Sequence, residues 1–170
     1  MGTDFETLQR GATVIYGACG GIWVMTVFAK PGAADMHLAR AALKTMQQRH
    51  RDGFPTLTWV LPEAGYSMDA DARAAATQVT QEFNPAITAM ATLIEGQGFQ
   101  AAAVRAIVSG MDFVARAKAP KKVFAELSPS VSWCGAMRPP RDRHAGDVAE
   151  ITAALATMRK GLVSGHRAVG

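Results

Sequence analysis

Gly20-Gly21 splits residues 12–29, ATVIYGAC-GG-IWVMTVFA, into two β-rich runs. A two-residue connection between such runs needs positive φ at both positions, which glycine supplies at no steric cost. An antiparallel hairpin is therefore expected at the start of the fold, and every later element must attach to a sheet already begun.

Beyond the hairpin, the chain alternates between helical and strand periods. From Asp35, expected as the helix cap, Met36, Ala39, Leu43 and Met46 recur at helical spacing, with His37, Arg40, Lys44, Gln47 and Gln48 on the other side. Residues 56–61, TLTWVL, read as a buried strand, and residues 69–83 as a helix with Ala72, Ala76, Val79 and Phe83 inward. Residues 86–95 carry many alanines. A preceding proline and a following Gly-x-Gly nevertheless mark them as a strand. A third helix is expected over residues 99–118, with Val104, Ile107, Val108, Met111 and Val114 along one side. KKVFAEL is a further strand, and a short helix begins with Ser128 as cap and Pro129 at its first position.

The order β-β-α-β-α-β-α-β-α implies a mixed, largely parallel sheet of four to five strands with helices packed on it. RPPRDRHAG (residues 138–146) reads as a linker, and beyond it Val148, Ile151, Leu155, Met158 and Leu162 form an amphipathic stripe. The expected division is an α/β domain over residues 1–138, then a linker and C-terminal amphipathic helix over 139–170. Such a stripe either packs back on its own domain or serves as the interface, for self-association or for a protein partner.

Composition excludes more than it selects. The 170 residues, 49% hydrophobic and 19% charged, suffice for a sizeable core. The net charge of +4 is spread along the chain, so no nucleic-acid partner is expected. The N-terminal MGTDFETLQR lacks a secretory pattern, and Glu6 stands where a myristoylation signal has a hydroxyl residue. The longest apolar run, IWVMTVFA, is too short to span a bilayer. Cys19 and Cys134 lie far apart in apolar company, which suits buried free thiols in a reducing cytoplasm, the expected location. His37, His50, His144 and His166 have no metal-ligand spacing, so neither a metal nor another cofactor is expected.

The element order, together with GFQAAAVRAIVSGM and KVFAELSPSVSW, resembles the STAS-like, or SpoIIAA-like, group of small α/β domains related to anti-sigma-factor antagonists. The resemblance covers roughly residues 12–137 and implies a non-catalytic regulatory or protein-interaction module. Antagonists of that group are switched by phosphorylation at the start of the helix after the central strand. Here that place reads LPEAGYSMDAD, without the Asp-Ser-Ser-Gly-like motif, leaving Ser67 as the candidate hydroxyl, with a plain helix cap as its other reading.

A second reading is a carrier of a small ligand, a lipid or a nucleotide. Gly96-Gln97-Gly98 formally begins a Gly-x-Gly-x-x-Ala phosphate motif, but Glu95 precedes it and no lysine follows, so a tight β-to-α turn is expected. Glu63 and Glu95 both follow strands whose C-terminal ends gather at one edge, where they would line one shallow pocket with Tyr66, Ser67, Gly96, Gln97, Gly98 and Phe99. A third reading makes those two carboxylates the acid-base pair of a small hydrolase. No nucleophile elbow occurs, and no catalytic residue is assigned.

Overall fold

The computed structural model describes residues 3–65, 67–98, 101–102, 104 and 118–167; for residues 163–167 it describes the backbone alone. Six strands, β1 (Glu6–Arg10), β2 (Val14–Cys19), β3 (Ile22–Val27), β4 (Phe54–Val60), β5 (Ile87–Ile94) and β6 (Lys121–Phe124), form one sheet in the spatial order of the chain. β1, β2 and β3 are antiparallel neighbours, and β3 to β6 run parallel. The described helices longer than one turn are α1 (Ala33–Arg49), α2 (Ala70–Phe83), α3 (Leu127–Ala136) and α4 (Val148–Arg167). Residues 101, 102 and 104 are helical as well.

The mixed α/β class is as the pattern of the sequence implies, and the Gly20-Gly21 turn forms with φ of 54° and 76°. The sixth strand is the addition. Residues 6–10 are polar and mostly exposed, so they carry no apolar signature. An edge strand needs none, because the ladder to β2 and an outside partner hold it. Here the partner is Arg49, whose Nη1 donates to Glu6 Oε2 at 2.6 Å. β4 starts two residues earlier than expected, at Phe54-Pro55, and the register with β5 shifts at that step. A proline lacking an N–H is accommodated at such an irregularity.

Three helix starts differ from expectation. Gly32, not Asp35, is the cap residue of α1; Asp35 sits three residues on, where Oδ2 accepts from Gly32 N at 3.3 Å. Asp35 also accepts from Ala12 N at 2.9 Å and Thr13 Oγ1 at 2.6 Å, so its carboxylate ties α1 to the segment leading into β2. Burial works to raise its pKa, but these hydrogen bonds overcome it and hold the group below the ordinary carboxylate value. α2 is capped by Asp69, which accepts from Ala72 N, and not by Ser67. α3 begins at Leu127 after Glu126, so Ser128 is inside the first turn and does not cap it, and Pro129 is at the third position.

The sheet has a core on each side. On one, Met36, Leu43 and Met46 of α1 and Ala72, Val79 and Phe83 of α2 pack on Tyr16, Trp23 and Met25. Crossovers of one hand between sequential parallel strands put these helices on one face. On the other, Val131 and Cys134 of α3 and Ile151 and Leu155 of α4 pack on Ile22, Val24, Leu57, Trp59 and Leu93.

The expected interface stripe is therefore covered from within the chain. Ile151 and Leu155 are fully buried, and Val148, Met158 and Leu162 pack partly buried on the same cluster. The segment expected as a linker is also pinned down. Arg138, buried, donates to the carbonyls of Gly135, Gly20 and Gly146, and His50 Nδ1 lies 2.8 Å from Asp142 Oδ2. α4 thus continues the α/β unit and does not hang from it.

Candidate functional site

Registry across the sheet brings together residues that are far apart in sequence. On the α1/α2 face one row runs Trp23, Thr56, Met90, Lys121, from β3 to β6. Two residues further along the strands, the next row runs Met25, Thr58, Thr92, Val123, and a third runs Val27, Val60, Ile94. Alternation along each strand puts all of them on the same face.

These rows form the floor of a cavity of about 940 Å³. Its walls are Met36, Ala39 and Leu43 of α1, Arg73, Ala76, Thr77, Val79 and Thr80 of α2, the loop residues Gly65, Ser67 and Met68, and Val104. The size is that of pockets that enclose a small organic molecule. The lining is largely apolar, with threonines from β4, β5 and α2. Its cations are Arg73, Lys121 and Lys122, and no carboxylate is among the described lining residues.

Among the described residues of this lining, one buried side-chain polar atom lacks a hydrogen-bond partner. Trp23 is 5% exposed, its ring stacks at 5.5 Å on Tyr16, and its Nε1 is buried and unpartnered. An orphaned buried donor costs about 1–3 kcal/mol, so such groups are rare and call for a partner. Tyr16, in contrast, is satisfied: its hydroxyl donates to Asp35 O at 2.8 Å, and burial pushes its pKa well up.

The pocket expected from Glu63, Ser67 and Glu95 divides between the two faces. Ser67, exposed, lines the cavity. Glu63 and Glu95 do come together, but at the α4 side, around a residue that no motif in the sequence singles out. Arg159 Nε donates to Glu95 Oε2 at 3.1 Å and its Nη2 to Glu63 Oε1 at 3.1 Å. Trp59 Nε1 donates to Glu95 Oε2 at 2.9 Å. Burial acts against the Arg159 charge, yet the two carboxylates outweigh it and hold the guanidinium above its ordinary pKa. Both carboxylates are thereby occupied as acceptors in a clamp that joins α4 to the ends of β4 and β5. A faint signal exists, since Arg159 falls one residue after Met158 in the stripe, but only the tertiary fold brings it over Glu63.

Gly96 and Gly98 have φ of 132° and 93°, as a tight turn requires, and Gln97 between them is exposed. Gly98 O accepts from Ala102 N at 3.2 Å, so the turn opens directly into helical backbone. Tyr66 and Phe99 lie outside the described residues, as does most of the expected third helix. The thiols are buried, with pKa pushed up by burial to about 11 at Cys19 and about 12 at Cys134, which makes them poor nucleophiles.

Among the described residues no group of His, Cys, Asp and Glu side chains could hold a metal ion, and no helix is long and apolar enough to cross a membrane. No family model, curated protein or solved structure matches the chain.

Proposed function

We propose that the protein is a non-catalytic binding domain for a small, mainly apolar molecule, held in the cavity between the sheet and helices α1 and α2. The observation that carries this reading is the 940 Å³ space whose lining includes a buried donor, Trp23 Nε1, without a partner. A chain that only needed stability would gain by filling that space and pairing that group. Binding ranks ahead of interaction through the last helix, because Ile151 and Leu155 are already consumed by the core. It ranks ahead of hydrolysis because Glu63 and Glu95 share Arg159. Regulation of the STAS-like kind remains the role we propose for such binding, supported by the order of strands and helices.

The test is scanning calorimetry with dodecanol as an apolar probe. A ligand that binds only the folded state raises the melting temperature in proportion to the logarithm of its concentration. The wild type is expected to show that rise, and Thr92→Phe, which fills the cavity floor, is expected to lose it. A wild-type melting temperature indifferent to the probe would overturn the reading.

A further inference from the structure

Resting on that reading, we propose that the natural occupant is an amphiphile with one anionic end, a carboxylate or a phosphate monoester, and a hydrogen-bond acceptor further along its body. The anion lies at the β6 edge against Lys121, and the acceptor meets Trp23 Nε1. Lys122, the next residue, sits with its ammonium 5.3 Å from the Phe124 ring centroid, on the other face. The row Trp23, Thr56, Met90, Lys121 supplies the track between them. It crosses three strand spacings, roughly 14 Å at about 4.8 Å each. The occupant therefore lies across the strands and not along them.

Charge points the same way. Every charged side chain in the described lining is a cation, and Lys121 is exposed on the edge strand at the β6 end of the row. A buried carboxylate would be expensive, whereas an anion at this rim keeps contact with water while its apolar body fills the interior. At the opposite end a donor waits in a dry setting, where an oxygen of the ligand relieves a desolvated N–H. Arg73 stands at the start of α2, away from the row, and is not needed for the end group.

Isothermal titration with four probes of one chain length tests both ends: dodecanol, dodecanoate, dodecyl phosphate and 12-hydroxydodecanoate. Dodecanoate or dodecyl phosphate is expected to bind roughly fivefold tighter than dodecanol, the scale of an exposed ion pair. The tighter of the two names the end group. The terminal hydroxyl of 12-hydroxydodecanoate is expected to add roughly fivefold over dodecanoate, the scale of one hydrogen bond to an otherwise orphaned donor. In Lys121→Gln, a surface change on an edge strand, the preference for an anion should disappear while dodecanol binds as before. In Trp23→Phe the preference for the hydroxyl should disappear while the preference for an anion stays. Equal binding of dodecanol and both anions by the wild type overturns this inference and leaves the cavity reading intact. Failure of every probe to bind overturns both.

Discussion

The two faces of the sheet are built from the same strands and end up with opposite character. On the α3/α4 face, Leu57, Trp59, Ala91 and Leu93 meet Val131, Cys134, Ile151 and Leu155, all buried. On the α1/α2 face the side chains one residue along, Thr56, Thr58, Met90 and Thr92, border an open volume. Met46 and Phe54 are fully buried on that face, while Tyr16, Trp23, Met25 and Met36, buried too, reach the cavity. One face of the sheet is filled by α3 and α4, and the other borders the cavity.

The strongest way to break this comparison is to disturb the closed face. Leu155 is fully buried against the sheet, so Leu155→Asp removes an apolar side chain and leaves a charge without a partner. A loss of about 4 kcal/mol or more is expected by chemical denaturation. Where a folded fraction remains, its mass by sedimentation should equal that of the wild type. A stable protein of reduced mass would mean that the stripe is an interface between chains.

How much of this the sequence discloses differs between the faces for the same reason. Elements are legible wherever a local period is strong. The Gly-Gly turn, the helical spacing of Met36, Leu43 and Met46, and the stripe of α4 each declare an element, and each forms. What a stripe packs against is not local information. Val148, Ile151, Leu155, Met158 and Leu162 look alike whether they meet a sheet or another molecule, and only the placement of α4 decides. The floor of the cavity is less legible still. Thr56, Met90 and Lys121 are neighbours through the parallel register, across spans in which periodicity says nothing about distance. Glu63 and Glu95 are readable as a pair because both follow a strand, a rule of topology. Their neutraliser Arg159 sits on a helix whose course no strand rule constrains.

Adjacent residues of β5 sharpen the comparison within one strand. Ala91 is buried on the closed face and Thr92 lines the cavity. Ala91→Leu overfills a packed core and is expected to cost about 2 kcal/mol. Thr92→Leu puts the same side chain where space exists, and its stability should stay within about 0.5 kcal/mol of the wild type. Paired urea titrations measure both. Equal losses at the two positions would show that the α1/α2 face is closed in solution and would remove the basis of the binding reading.

The faces also differ in what ties their helices on, and acid should reveal it. α4 rests on the sheet through Ile151 and Leu155 and is clamped by Arg159 to Glu63 and Glu95, whereas α1 is joined to the start of β2 by the Asp35 carboxylate and its bonds to Ala12 N and Thr13 Oγ1. In the folded chain these bonds hold the Asp35 pKa below its ordinary 3.8. As pH falls below that ordinary value, the unfolded chain takes up the proton while the folded chain still resists it, so protonation favours unfolding. The stabilisation is complete above the ordinary value and is lost as pH descends through the depressed folded one. Asp35→Asn retains an oxygen to accept from Ala12 N but gives up the charge, so it is expected to cost on the order of 1 kcal/mol at neutral pH. It should also flatten the acid limb of a plot of urea midpoint against pH. An acid limb as steep in Asp35→Asn as in the wild type would place the acid-sensitive link elsewhere, and the polar tie on the cavity face would lose its part in the contrast.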